Sequence, residues 1–403
     1  MLVMTADLRQ FDVVVLGAGA AGLMCAAEAV RRGRHVALID HNGQPGRKIL
    51  VSGGGRCNFT NLHCGAGNYL SENKHFAKSA LALYQPRHFV ELVERYGIGW
   101  HEKAKGQLFC DGSSRAIVEM LVAESGRGPG RVEMILDALV KGVEATALGK
   151  GGFRIATSKG DVDAGALVMA TGGLSFPRLG ASALGYEVAR RFGLKIVEPR
   201  PALVPLLLGD REARWTELVG VATEVVATAG GKSFREQMLV THRGLSGPAI
   251  LQASSYWRRG EALAVDFAPQ LAAGERLLAA LTAPRARRDK TALKQALRPV
   301  LPHRLANYLA ETGGPQGWSN AAIEDCEKKL HHWEFHPAGS EGFSKAEVTA
   351  GGVDTAGLQA RTMEAKAVTG LFFVGEVIDV TGELGGFNLQ WAWSSGVAAG
   401  RAV

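Results

Sequence analysis

No run of eighteen uncharged apolar residues occurs in the chain, and its first residues show neither a cationic stretch nor an apolar one following it. A soluble, cytoplasmic protein with no membrane partner is therefore expected. Cysteine is scarce: Cys25, Cys57, Cys64, Cys110 and Cys326 form no CxxC pair and no disulfide framework. That fits a reducing compartment and makes a structural metal unexpected. Aromatic residues are 7% of the chain, and none is interleaved with the basic stretches as a base-stacking surface would require. Paired carboxylates and a Ser/His/Asp nucleophile arrangement are also missing, which removes hydrolysis from the candidate chemistries.

What the chain has is glycine, 52 of 403 residues, and a positive balance of +7. With 46% hydrophobic and 21% charged residues it has an ordinary globular composition, long enough for two or three domains. The positive balance suits nucleic acid, a membrane surface or an anionic cofactor. Its densest source is the stretch 285–304, where Arg285, Arg287, Arg288, Lys290, Lys294, Arg298 and Arg304 face one acid, Asp289. A solvated helix face is the default reading there, and a polyanion site the alternative.

The run from Phe11 to Asp40, FDVVVLGAGAAGLMCAAEAVRRGRHVALID, organises the rest. Val13 to Leu16 are apolar and mostly β-branched, suited to a parallel strand buried on both faces. Gly17, Gly19 and Gly22 follow in GxGxxG spacing. Gly17 permits the tight turn, Gly19 lets backbone approach a pyrophosphate, and Gly22 allows helix to pack on strand. A helix is expected over Ala20 to Arg32, presenting the amides of Ala20 and Ala21 and a positive dipole end to the phosphates. The next strand, His35 to Ile39, ends in Asp40, whose carboxylate can accept from both hydroxyls of an adenosine ribose and disfavours a 2′-phosphate. Such a unit leaves FAD and NAD equally open.

After Asp40 comes HNGQPGRKILVSGGGRCNFTN, in which Arg47 and Lys48 offer cations to a pyrophosphate and Ser52, Gly53, Gly54 and Gly55 offer unobstructed amides. The run GRKILVSGGGRCNFTN resembles the signature of the YhiN-like flavoproteins, also called the BaiN or aminoacetone-oxidase family, which bind FAD in a two-dinucleotide-domain-type fold. The resemblance covers about Phe11 to Ala402. It implies that this loop passes along the pyrophosphate and the isoalloxazine ring, which adds Arg56, Cys57 and Asn58 to the cofactor-binding set. Cys57 reads better as a small residue packed near the ring than as a redox thiol.

Later strands are expected at Val132–Leu136, Ala138–Ala147, Gly152–Ser158 and Ala166–Met169. The last runs into Ala170-Thr171-Gly172-Gly173, which resembles the family's nucleotide-touching segment; by the same resemblance the backbone of Val140 meets the adenine. Near the C-terminus a strand over Leu371–Val374 delivers Gly375 and Glu376, and Asp379 can bind a polar chain such as the ribityl hydroxyls. Gly385-Gly386-Phe387-Asn388 then opens the last helix, whose positive end suits the negative charge of a reduced flavin. Gly386 is expected to let backbone approach the pyrimidine edge. This second glycine turn separates an FAD fold from a nicotinamide dehydrogenase. Family members often carry Asp-Gly where this chain has Thr381-Gly382-Glu383. No second GxGxxG follows a strand, so NAD(P)H is expected only as a transient reductant docking at the flavin.

The expected fold class is α/β, a Rossmann-like FAD-binding domain built from residues 1–196 and 341–403. An insert over 197–340 begins at the helix-breaking Pro199, Pro201 and Pro205; it is β-rich and barrel-like over 197–270 and helical over 271–340. Strands are expected there at Leu203–Leu208, Val221–Ala229, Ser233–Thr241 and Leu263–Phe267, with Gly244 to Pro248 capping a helix. The resemblance implies that the insert overlies the flavin, which makes His242, Arg243 and Ser246 candidates for touching substrate. Arg56 and Arg178 could orient an anionic substrate or only the phosphates. His331, His332, His336 and Glu334 lack the spacing of a metal motif. The expected function is an FAD-dependent oxidoreductase acting on a small molecule, with catalysis belonging to the flavin. The resemblance implies either NAD(P)H-linked reduction of an enone or amine oxidation with oxygen. A tRNA-modifying flavoprotein, motivated by the positive balance, and a flavin redox sensor without turnover are the alternatives.

Overall fold

The computed structural model describes residues 9–146, 152–271 and 275–403. Ala147, the last residue of one expected strand, and 272–274, within the expected helical part of the insert, lie outside them. The chain separates into two compact units: one runs to Arg200 and resumes at Val348, and the other is Pro201–Glu347.

The first unit is built on a seven-stranded sheet of β1 (Arg9–Leu16), β2 (His35–Ile39), β3 (Arg131–Ile135), β4 (Val140–Ala145), β5 (Phe153–Thr157), β6 (Val162–Met169) and β7 (Leu371–Phe373). Its order is β3-β2-β1-β6-β5-β4, with β7 added to β6. Strands β3, β2, β1, β6 and β7 run parallel, while β5 is antiparallel to β6 and β4 to β5. One edge of β6 is shared: Val162–Ala164 pair with β5 and Leu167–Met169 with β7. Val13 to Leu16 are buried, as both faces of the sheet are covered.

Helix α1 (Ala20–Arg31) follows β1, and α2 (Phe387–Gly400) ends the chain and is buried along most of its length. They pack closely because α2 carries glycine four residues apart. A Cβ at Gly396 would stand 2.6 Å from the Ala21 carbonyl oxygen, and one at Gly400 2.5 Å from that of Cys25. The buried indoles of Trp391 and Trp393 donate to the carbonyls of Gly375 (3.0 Å) and Phe59 (2.8 Å), which meets their polar need inside the core. Residues 76–97 form two helices, Lys78–Leu83 and Pro86–Arg95. Pro86 forces Gln85 to be extended and cannot donate to a preceding turn.

The second unit carries an antiparallel sheet in the order Trp333–Phe335, Leu263–Asp266, Ala222–Ala229, Lys232–Val240, Gly244–Ser246, Leu206–Leu207, Gly339–Ser340. Its two edge strands are joined by only three residues, so the chain can separate them by about 14 Å at most and the sheet must curl in a barrel-like way. Leu277, Leu278, Leu293, Leu297, Leu305 and Leu309 are all buried, and the Trp215 ring stacks on Phe267 at 5.7 Å. Gly244–Ser246 is a strand rather than a helix cap: Gly247 caps the helix Pro248–Ser254, and the Ser246 hydroxyl takes no part. Residues 341–347 belong with this unit and not with the first, because the N–H groups of Glu341 and Glu347 donate to the carbonyls of Pro205 and Leu203.

Candidate cofactor site

Five parallel strands of the first unit end on one rim. The N–H of Gly17, just beyond β1, donates to Ile39 at the end of β2 (2.8 Å), and that of Ala170, just beyond β6, donates to Leu16 (2.8 Å). Val374 donates to Met169 (3.0 Å) and Asp40 to Ile135 (3.1 Å), so the residues that follow the strands form one continuous lip. In open α/β sheets the carboxyl ends of the strands are where ligands bind.

Two of the three motif glycines answer to the chain's own packing. A Cβ at Gly17 would stand 2.4 Å from the Ala170 carbonyl oxygen, and one at Gly22 1.9 Å from that of Gly17. At Gly19 and at Gly172 a Cβ would meet nothing within 4 Å, so those two face open space. Gly19 caps α1 without a side-chain bond, and no acid lies in the first turn, which leaves the amides that begin at Ala20 and Ala21 suited to an anion. The Asp40 carboxylate accepts from the N–H of Ala18 (2.7 Å) on one oxygen, and from the N–H (2.8 Å) and side-chain amide (3.0 Å) of Asn42 on the other. A carboxylate has about four acceptor positions. Three are taken, so one is left for a ribose where the sequence suggests two. Val140 opens β4 two residues after Ala138, whose N–H donates to the Asp40 carbonyl at 3.0 Å.

The loop beyond Asp40 is shaped by backbone that only glycine tolerates. Gly53, Gly54 and Gly55 have φ of 56°, 67° and 85°, three left-handed residues in succession. Ser52 closes the preceding turn through its hydroxyl, which donates to Ile49 at 2.7 Å. Arg47 is held by the Asn42 side-chain oxygen at 2.5 Å, a neutral partner that leaves its charge uncompensated. Lys48, a pyrophosphate contact on the sequence reading, has protein partners here. Its ammonium donates to Glu376 and to Ser175, both at 2.6 Å, so its charge is already balanced. Glu376 in turn accepts from the Ser175 hydroxyl (2.8 Å) and the Thr349 N–H (2.8 Å), and both its oxygens are engaged by protein. This cluster ties the loop to Gly173, where a Cβ would stand 2.5 Å from the Thr349 hydroxyl. Ser175 and Thr349 escape a reading from motifs because neither belongs to a glycine turn; only their partners reveal them.

Cys57 is buried with φ 49°, a strained value for a non-glycine residue, and Phe176 beside Lys48 has φ 58°. Burial pushes the Cys57 thiol up to about 12, with the Ser52 hydrogen bond opposing the shift, so it stays protonated and is no thiolate nucleophile. The Asn58 amide, in the orientation its neighbours favour, accepts from Gly386 N–H at 3.2 Å and donates to the Thr60 and Leu108 carbonyls.

At the C-terminal turn, Gly386 has φ 95°, and its Cβ would stand 2.4 Å from the Thr60 carbonyl oxygen. A neighbouring strand therefore requires glycine here whether or not a ligand does. Gly385 has φ 117°, and the Asn61 amide donates to its carbonyl at 2.9 Å. Asn388 clamps the turn before it, accepting from Gly382 N–H (2.8 Å) and donating to the Gly382 and Glu383 carbonyls. Phe387 is buried, edge-on to Tyr69 at 6.4 Å, and its carbonyl accepts from the Tyr69 hydroxyl at 2.9 Å. These bonds fix the start of α2, which has no side-chain cap and no acid in its first turn. Gly375 packs against α1, where its Cβ would stand 2.9 Å from the Ala21 Cβ. Asp379 is buried and accepts from Glu72 N–H at 2.9 Å. Burial raises its pKa above the usual carboxyl value; the Glu72 N–H bond opposes this, and the charges of Glu72 and Asp354 add to it.

Arg56 and Arg178 are exposed in the first unit. Thr171 holds its hydroxyl buried without a hydrogen-bond partner. Arg243 faces Glu341 at 3.5 Å in the second unit. The three histidines that lack a metal motif's spacing form separate pairs, His331 with Asp266, His332 with Glu334 and His336 with Glu212. Among the described residues no group of three or more His, Cys, Asp or Glu could hold a metal ion.

An open glycine cradle, two uncapped helix starts and the uncompensated Arg47 fit a dinucleotide diphosphate with a group of developing negative charge at its far end. Residues 11–402 match the HI0933-like protein Rossmann domain. The chain belongs to this family. Members of the HI0933-like family are FAD-binding oxidoreductases of Rossmann type. The chain is 46% identical over 401 residues to the ribosomal RNA dihydrouridine synthase of Escherichia coli (strain K12), covering 98% of each protein. It is 30% identical over 419 residues to the 3-dehydro-bile acid delta(4,6)-reductase of Clostridium scindens, covering 96% of this chain and 98% of that protein. Among solved structures, 3-ketosteroid-delta4-(5alpha)-dehydrogenase from Rhodococcus jostii RHA1 superposes with a TM-score of 0.51 at 16% identity, covering 99% of this chain and 98% of that one, a likeness of fold.

Proposed function

We propose that this protein reduces uridine to dihydrouridine in ribosomal RNA, using FAD and a transiently bound NAD(P)H. The observation that carries the reading is the 46% identity, over 98% of both chains, to a protein named for that reaction. The more distant relative named as a bile acid reductase supports the same bond chemistry. Both names describe saturation of a carbon–carbon double bond conjugated with a carbonyl. In uracil the hydride goes to C6 and a solvent-derived proton to C5, while the nicotinamide is oxidised. Bound FAD supplies a hydride carrier between nicotinamide and conjugated alkene.

The chain's own residues bind and orient. Gly19, Gly172 and the first amides of α1 take the diphosphate, Arg47 adds an unpaired cation, and Asp40 offers its remaining acceptor to the ribose. The start of α2, rigidly held by Asn388 and Tyr69, would favour negative charge on the pyrimidine end of the flavin. Lys48, Ser175, Glu376 and Thr349 hold the loop and the rim together rather than the ligand.

The test is direct. The FAD-loaded protein is incubated with unmodified ribosomal RNA transcribed in vitro and with NADH or NADPH, and the RNA is digested and examined by mass spectrometry for uridine carrying two extra hydrogens. The product should form with at least one nicotinamide. Saturation of a free enone without any dihydrouridine would refute the reading in favour of a small-molecule reductase, the second reading that the bile acid relative supports.

A further inference from the structure

The stretch 285–304 lies in the second unit and carries the densest charge in the chain. We propose that it is the surface on which this protein holds the phosphate backbone of folded RNA, an inference that rests on the function proposed above.

Lys290, Lys294 and Arg298 recur at every fourth position along the helix Lys290–Leu297 and its cap, in a stripe flanking the buried Leu293 and Leu297. Arg288 and Arg304 reach back to neutral acceptors: Arg288 donates to the Trp318 carbonyl (3.1 Å), and Arg304 to those of Glu217 (2.6 Å) and Val219 (3.1 Å). A guanidinium held by carbonyls keeps its full charge and several free N–H donors while losing its freedom to wander, which prepares it for a bidentate phosphate contact. Two acids answer the seven cations. Asp289 pairs with Arg287 and caps the helix through Ala292 N–H, and Glu311 pairs with Lys294 at 2.8 Å. Glu217, the next acid, faces Arg214 at 3.3 Å. Against Asp289 and Glu311 the seven cations leave an excess of five positive charges, which attracts a polyanion.

The same stretch contains no Phe, Tyr or Trp. Without the large aromatic platforms of a single-strand binder it addresses phosphates rather than sequence, which fits the backbone of a helical RNA segment better than a single strand.

The experiment measures binding of the full-length, FAD-loaded protein to unmodified ribosomal RNA transcribed in vitro, by fluorescence anisotropy over a range of salt. The double variant Lys290→Ala/Arg298→Ala is compared with Lys232→Ala/Arg259→Ala, which removes the same charge from exposed positions elsewhere in that unit. The first should bind at least tenfold more weakly, with a log–log salt slope shallower by about 0.7 to 0.9 for each phosphate that the variant no longer neutralises. The second should match the wild type, and flavin content should be unchanged in both. If the wild type binds and Lys290→Ala/Arg298→Ala binds equally well with the same slope, the surface is refuted while the functional reading stands. Equal weakening by both pairs also overturns it, since the effect is then general charge. A wild type that fails to bind RNA sinks the functional reading and this surface with it.

Discussion

Asp40 offers the sharpest test of the cofactor site. Its carboxylate accepts from Ala18 N–H at 2.7 Å and from two Asn42 groups at 2.8 and 3.0 Å, leaving one acceptor position for a ribose hydroxyl. Asp40→Ala removes that charge-assisted bond, which is worth about 1.5 to 3 kcal/mol. At about 1.4 kcal/mol per factor of ten, the FAD dissociation constant should rise by roughly 10- to 150-fold. The change also frees Ala18, which links Asp40 to the loop, because its carbonyl accepts from Gly46 N–H at 2.8 Å. Asp40→Asn should give little rescue: both oxygens accept from N–H donors, so an amide in either orientation sets donor against donor. Asn42→Ala keeps the carboxylate and the Asn42 backbone bond but removes the side-chain bonds to Asp40 and Arg47, at about 0.5 to 1.5 kcal/mol each. The assay is titration of apoprotein with FAD, followed by quenching of flavin fluorescence. An Asp40→Ala dissociation constant within twofold of wild type would mean that the ribose lies elsewhere and the rim is not the nucleotide site.

Gly386→Ala should lower the melting temperature and the bound flavin together, because its Cβ alone reaches 2.4 Å from the Thr60 carbonyl oxygen; overpacking of this kind costs about 1 to 3 kcal/mol. Arg285→Ala should leave both unchanged, and a Gly386→Ala protein of normal stability would contradict the close approach. Cys57, with its thiol pushed up to about 12 by burial, should resist iodoacetamide at pH 8 in the folded protein and react only after unfolding, as peptide mass spectrometry can show. Asp379 gives a pH signature. A carboxyl whose pKa rises on folding holds its proton more tightly when folded, so its favourable contribution is present below the ordinary value of 3.8 and is lost as pH climbs through that value to the raised one. Asp379→Asn should therefore melt above wild type at pH 7, with the gap narrowing as pH is lowered toward 4. A gap independent of pH would remove Asp379 as its source.

The local spacing of residues determined much on its own. An apolar run, three glycines at GxGxxG spacing, an alanine-rich helix and an acid specify β1, α1 and β2, because each depends on hydrogen bonds and side-chain periods that span only a few residues. Likewise the leucines of the second unit announce helices through their spacing, and Pro86 breaks a helix wherever it stands. Tertiary structure alone decided which partner each polar and glycine residue meets. Gly386 is required by Thr60, Lys48 is balanced by Glu376, and Gly396 and Gly400 let α2 press against Ala21 and Cys25, all pairings between segments hundreds of residues apart. A motif states that a glycine or a cation is needed but not whether a ligand or another strand needs it. That depends on which surfaces the folded chain brings within touching distance, and no local period encodes it.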